Sequence, residues 1–306
     1  MRTSFTLAFM ALLALAGIAF ASCASTPATG MAPATDMTPA TFAEQTGIRD
    51  GLEGASRVRD IIVSSRDIPQ RLDGYRVGFV SDIHLGNNYT DARMERLVEE
   101  INAEKFDCVI LGGDYTRDAS YIKRFAELAG RLRARDGVYA IHGNHDIMNG
   151  KAQTTRALDD AGIRVLDQSH AKVTEGLSVS GVGDLRFEYP DMERTSKGID
   201  AGDFAILAAH NPDLVEESAF ARFAGLYDLV LCGHTHGGQI TLFGWAPVLP
   251  SRYGARYRTG IVQRGDAPVI ISNGVGFSGK VFLFRVSAPS DFLALTLRSR
   301  DPSKDR

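Results

Sequence analysis

The chain has 306 residues, 44% of them apolar, with 34 Lys+Arg against 37 Asp+Glu and a formal net charge of −3. That is an ordinary globular composition without a strong field of either sign. It excludes collagen-like, coiled-coil and wholly disordered chains and argues against a dedicated nucleic-acid binder. Three cysteines are too few for a disulfide-stapled scaffold.

The N-terminus differs from the rest. Arg2 is the only charge before Asp36, and the apolar run Leu7 to Ala21 is too short to span a bilayer comfortably but fits an export signal. Cleavage after Ala19-Phe20-Ala21 would release a secreted or periplasmic chain. Phe20-Ala21-Ser22-Cys23 instead resembles a bacterial lipobox, which would make Cys23 the lipid-attachment residue and tether the chain outside the cytoplasm to a bacterial membrane. Ala24 to Thr46 is dominated by Ala, Thr and Pro with no basic residue, as expected of an extended tether. The expected organisation is a signal over 1–22, a tether over 23–50, one layered domain over 51–298 and a polar tail over 299–306.

From Asp60 onward, apolar β-rich runs alternate with helical patterns. Arg76 to Ser81, Cys108 to Leu111, Val138 to Ile141, Phe204 to Ala209 and Leu226 to Leu231 read as buried strands. Asp91 is placed to cap a helix carrying Met94, Leu97, Val98 and Ile101 on one face, and further helices are expected over 120–133, 152–161 and 213–223. Val269 to Ser272, Val281 to Val286 and Leu293 to Leu297 add strands, so the class is α/β with a mixed or doubled sheet. Cys108 and Cys232 sit inside apolar runs and read as core residues.

Metal-competent residues recur where these strands end: Asp82-Ile83-His84, Gly112-Gly113-Asp114, Gly143-Asn144-His145-Asp146, His210-Asn211-Pro212-Asp213 and Gly233-His234-Thr235-His236. Sites in open α/β sheets form outside the carboxyl ends of strands, so all of these segments can converge on one crevice. The i, i+2 pairs Asp82/His84 and His234/His236 face one side of an extended chain. Carboxylate, amide and imidazole donors without thiolate suit Mn, Fe or Zn. Two such divalent or trivalent ions can clamp a phosphate between them.

This ordered set resembles the signature of the calcineurin-like metallophosphoesterase superfamily over about Arg76 to Thr241. The stretch Leu231 to Gln239 with His210-Asn211-Pro212-Asp213 is most similar to a bacterial membrane-associated phosphodiesterase branch. The resemblance implies a four-layer α/β/β/α sandwich and a dinuclear centre, with in-line attack by a metal-bridging hydroxide on a phosphodiester or pyrophosphate. It implies that Asp82, His84 and His236 hold one ion, that Asp114 bridges, and that Asn144, His210 and His234 hold the other. His145 would protonate the leaving oxygen, and Asp146 would orient His145 or its loop from behind. The implied substrate is a phosphate-ester small molecule or a lipid, such as a diacylglucosamine nucleotide precursor. A non-catalytic metal-binding scaffold of the same fold is the rival.

Arg117 stands three positions after Asp114, where related protein phosphatases carry an acid, so protein-phosphatase activity is not implied. Gly276 to Asp291 follows the branch's closing pattern only loosely. Asp184 and Arg186 are candidate substrate contacts, as is Arg256. Leu242 to Pro250 carries the only tryptophan and reads as a packed lid over the site, with a membrane-facing loop as the alternative.

Overall fold

The computed structural model describes residues 40–51, 53–243, 245–278 and 284–300. The expected signal, Cys23, most of the tether, residues 281–283 of the expected strand Val281–Val286 and the tail from 301 lie outside the described residues, and the described remainder of that expected strand is not a strand but makes only an isolated bridge from Val286 to Ile240. In chain order the elements are β1 (Thr41–Asp50), β2 (Arg57–Ser65), β3 (Arg76–Val80), α1 (Asp91–Ala103), β4 (Cys108–Leu111), α2 (Ile122–Ala129), β5 (Val138–Ala140), α3 (Asn144–Asp160) and β6 (Arg164–Val165). There follow β7 (Ser169–Thr174), β8 (Leu177–Val182), α4 (Met192–Ser196), β9 (Phe204–Ala209), α5 (Ser218–Ala221), β10 (Leu229–Cys232), β11 (Gly260–Arg264), β12 (Ala267–Ile271) and β13 (Asp291–Ser299). Among the described residues, no helix is long and apolar enough to cross a membrane.

Strand alternation builds the layers. Cys108 and Ile110 of β4 point one way, into a core shared with Ile206 and Ala208 of β9 and Leu229 and Leu231 of β10. Val109 and Leu111 point the other way, against Met94, Leu97 and Ile101 of α1 and Phe125 of α2. Ala205 and Leu207, with Val230 and Cys232, face a third core under Leu214, Val215, Phe220 and Tyr257. Two sheets stacked face to face with helical elements outside each give the expected α/β/β/α order. One sheet runs β1-β2-β13-β3-β4-β5-β6 and the other β11-β12-β10-β9-β8-β7. Within them β3 to β6 are mutually parallel, as are β8, β9, β10 and β12. Their carboxyl ends are where the motif segments leave.

Several boundaries differ from expectation: the helix expected over 152–161 begins at Asn144, and the strand expected from Leu226 begins at Leu229. Thr41–Asp50 is not tether but an edge strand paired along its length with β2, and Thr41 is itself buried. The cap of α1 is Thr90, whose hydroxyl accepts from the Arg93 N–H at 3.4 Å, not Asp91. The stretch 213–223 is a 3₁₀ turn, Pro212–Glu216, followed by the single turn α5, with Glu217 extended between them (φ −77°, ψ 142°).

Candidate metal centre

Three of the five segments, those after β3, β4 and β10, leave their strands in a conformation that L-residues seldom adopt. Asp82, His84, Asp114, His234 and His236 have φ of 54°, 49°, 58°, 69° and 52°. Left-handed backbone swings a side chain out of the strand line, and here it brings both sets of loops over one crevice. The loops hold each other: Asp82 N–H donates to Gly113 O at 2.9 Å, His84 N–H to Asp114 O at 3.0 Å and Gly233 N–H to His210 O at 3.0 Å. The His234 N–H donates to the Asp82 carboxylate at 3.0 Å.

Two groups of ligand atoms result. In the first, His236 Nε2 lies 3.2 Å from Asp82 Oδ1 and 3.2 Å from His84 Nε2. In the second, His210 Nε2 lies 3.2 Å from His234 Nδ1. Asp114 Oδ2 stands between them, 3.5 Å from His84 Nε2 and 3.4 Å from His210 Nε2. Donors about 2.0–2.1 Å from a tetrahedral ion are themselves roughly 3.4 Å apart, so these spacings fit a shared cation on each side of Asp114. Asn144 begins α3 beside this point, and its buried Oδ1 has no hydrogen-bond partner. An orphaned amide oxygen is what a ligand position looks like without its ion.

The protonation pattern fits the same reading. Burial pushes His84 and His234 down to about 3 and His236 well below its ordinary value, leaving neutral imidazoles. Burial pushes Asp82 up to about 6, with the Asp114 charge adding to it and His210 opposing. Burial disfavours the Asp114 charge too, but His210, His84 and His145 outweigh it and hold that carboxyl well below the usual range. His210 is the reverse: burial opposes its charge, yet Asp114, Asp82 and Asp184 raise it well above the ordinary value. Its Nδ1 is fixed on Gly112 O at 2.8 Å, which turns Nε2 into the centre.

Asp146 serves the loops rather than the His145 ring. Its carboxylate accepts from the N–H groups of Asp114 (2.7 Å), Tyr115 (2.9 Å) and Gly143 (2.8 Å). Burial and then the Asp114 charge push it up to about 7. His145 is half-buried at the rim, its ring edge-on to His84 with centroids 4.7 Å apart, and its backbone N–H donates to Asp114 Oδ1 at 2.7 Å.

A cleft of about 710 Å³ opens beside His234 between Leu185–Pro190 and Pro250–Arg252. Arg186 lines it, and its charge reaches His234. Asp184 is buried behind, with Oδ1 accepting from the Arg186 N–H at 2.9 Å and Oδ2 unpartnered. Arg256 does not line this cleft. It pairs with Glu216 at 3.0 Å, because the turn Gly254–Tyr257 packs against the Pro212–Glu216 turn instead of the centre. Nor is the Leu242–Pro250 segment a packed lid, since Phe243, Trp245 and Val248 are exposed. Cys108 and Cys232 are free and buried in the cores, and His142 is bonded to Thr155.

Two contributors went unnoticed in the sequence. Arg285 donates to the carbonyls of His236, Asn273, Gly274 and Gly276, and its Nη2 lies 3.2 Å from His236 Nδ1. It locks the His236 loop to the loop after β12. That second loop, Ser272-Asn273-Gly274, presses on the centre: a Cβ at Gly274 would lie 2.5 Å from the Asp82 Cβ. Polar residues and glycine at a strand end were the signal that could have found it. Nothing in the local sequence marks Arg285.

A buried cluster of carboxylate, amide and imidazole donors, spaced to take cations on both sides of one aspartate, suits the hydrolysis of phosphate esters, and the class is a metal-dependent phosphoesterase. The sequence model of calcineurin-like phosphoesterases matches residues 75–238, and the chain belongs to that family. It is 32% identical over 199 residues to a zebrafish (Danio rerio) "transmembrane protein with metallophosphoesterase domain", covering 60% of this chain and 45% of that protein, so it spans less than half the length of that relative. It is 27% identical over 245 residues to the Bacillus subtilis "uncharacterized metallophosphoesterase YkuE", covering 78% of this chain and 84% of the other. An Aquifex aeolicus metallophosphoesterase is 28% identical over 253 residues, covering 80% and 92%. Among solved structures, a phosphopantetheinyl hydrolase from Mycobacterium tuberculosis aligns with a TM-score of 0.41 at 13% identity, covering 65% of this chain and 88% of that one.

Proposed function

We propose that the chain is an exported, membrane-tethered phosphoesterase of the bacterial membrane-associated branch, cleaving a phosphodiester or pyrophosphate in a small molecule or lipid. The observation that carries the chemistry is Asp114 standing between the two imidazole groups. Asp82, His84 and His236 would hold one ion, Asn144, His210 and His234 the other, and Asp114 both. When bound, such ions supply charge neutralisation at the phosphoryl oxygens and an activated water.

The remaining work falls to this chain's own side chains. His145, at the rim and tied by its backbone N–H to Asp114, hands a proton from its ring to the departing oxygen. Arg186, on the cleft wall beside His234, meets phosphate charge on the substrate. Asp146 keeps three backbone N–H groups, and so both loops, in register. The apolar run before Cys23 and the Ala/Thr/Pro-rich stretch after it support export and tethering.

Turnover of bis-p-nitrophenyl phosphate with Mn²⁺ tests the reading. Asp114→Ala should abolish it, and His145→Ala should slow it by roughly 10²–10⁴-fold with metal content unchanged. A wild-type chain inactive with Mn²⁺, Zn²⁺ and Fe²⁺ alike would leave the metal-binding scaffold in its place.

A further inference from the structure

The segment that follows the His236 loop is badly suited to water. Leu242 and Trp245 exchange backbone hydrogen bonds of 2.9 and 2.8 Å, bracketing Phe243 at a hairpin tip. Phe243 has φ 51°, a left-handed conformation that tight hairpin turns ordinarily give to Gly, Asn or Asp. Its ring is fully exposed, and Trp245 and Val248 are 64% and 76% exposed. A strained phenylalanine in water adds nothing to any of the cores and costs backbone energy.

Its neighbours indicate what would cover it. Ile240 to Ser251 carries no charged residue, while Arg252, Arg256, Arg258 and Arg264 follow with no acid between Ile240 and Arg264. Arg256 and Arg264 share the single carboxylate of Glu216, and Arg252 meets Glu217 and, at 3.8 Å, Asp213, so among the described residues the four guanidinium groups of this collar still outnumber the three carboxylates paired with them. Across the cleft, Phe187 and Tyr189 are exposed on the facing wall. An apolar tip with an indole and a cationic collar is complementary to the headgroup–acyl boundary of an anionic bilayer.

We propose that the exposed Phe243, Trp245 and Val248 form a lipid-docking tip that inserts into an anionic bilayer surface and sets the cleft mouth against the membrane. This goes beyond the function proposed above and rests on neither the Cys23 tether nor the phosphoester chemistry.

Trp245 is the only tryptophan in the chain, so its fluorescence reports the tip alone. The full chain, with phosphatidylcholine–phosphatidylglycerol vesicles whose acyl chains are brominated, should show a blue-shifted Trp245 emission that loses most of its intensity. Phe243→Ser combined with Val248→Ser should return that emission to its water-exposed position while hydrolysis of the soluble diester stays at the wild-type rate. Trp245 emission unmoved by brominated vesicles, in a chain that carries a fatty-acid label on Cys23, overturns the docking tip and leaves the tether standing. A blue shift that grows with protein concentration in the absence of lipid also overturns it, since a second copy then covers the tip. Quenching by lipid in a chain that hydrolyses no diester upholds the tip and overturns only the phosphoesterase reading.

Discussion

At the level of single residues, the centre is assembled from conformations that the chain must be forced to adopt. Left-handed backbone costs a non-glycine residue on the order of 1–2 kcal/mol, and Asp82, His84, Asp114, His234 and His236 all adopt it. The cost is offset by cross-loop hydrogen bonds and is tolerable only because glycines stand beside these residues where no Cβ fits. Gly233 is the clearest case. A Cβ there would lie 2.4 Å from Asp82 Oδ2 and 2.5 Å from Ser81 Oγ, while a Cβ at Gly202 would meet nothing within 4 Å. Gly233→Ala should therefore displace the Asp82 carboxylate, lower stability by about 1–3 kcal/mol and reduce diester hydrolysis at least tenfold. Gly202→Ala should leave both thermal unfolding and turnover unchanged. Equal effects of the two substitutions would show that the close approach at Gly233 is not what holds Asp82.

At the level of elements, the apolar runs and the motifs were readable because the buried strands alternate two faces, both apolar, and then end abruptly in Gly, Asp and His. Cys108–Leu111 and Phe204–Ala209 stand where the pattern put them. β1 was not readable: Thr41-Phe42-Ala43-Glu44-Gln45-Thr46 has the Ala/Thr composition of a tether, and only its partner β2 makes it a strand. Arg285 was hidden for another reason, since its role comes from the carbonyls of two loops, that of Asn273, Gly274 and Gly276 and that of His236, which only the fold brings together. One strand-end group outside the centre makes a pH prediction. Asp228 precedes β10, accepts from the Ala205 N–H at 2.7 Å, and is pushed up to about 7 by burial, with the Asp67 charge adding to it. An unfolded Asp titrates near 3.9, so between about pH 4 and pH 7 the folded chain keeps a proton that the unfolded chain has lost. Stability from this group consequently falls as pH rises through that window and is flat above it. Asp228→Asn keeps an acceptor oxygen and removes the linkage. Urea unfolding should show the variant gaining on the order of 2 kcal/mol over wild type near pH 8 and little near pH 4. An equal difference at both pH values would exclude the raised carboxyl.

At the level of the whole molecule, the direction of β1 decides how a tethered chain could work. β2 runs parallel to β13 and β13 antiparallel to β3, so Ser65 lies at the end of the sheet away from Asp82. Thr41 pairs with Ser65, and the chain therefore enters the domain at the end opposite the metal centre. A domain of this length has a radius of gyration of about 18 Å, a body roughly 45 Å across. With Cys23 as the proposed anchor, residues 24–40 reach at most roughly 60 Å when fully extended. That is enough to pass along the domain and let the tip formed by Phe243, Trp245 and Val248 meet the same bilayer, with little to spare. Deleting Ala28–Met37 from the full chain cuts the reach to roughly 25 Å, shorter than the body it must pass. Turnover of the soluble diester should be unchanged, because the deletion lies outside every strand and core of the described domain. Quenching of Trp245 by brominated lipid should be lost in the same preparation, since the anchored domain is then held with its centre turned away from the membrane. Retained quenching after the deletion would mean that the tip reaches a bilayer without the length of this tether.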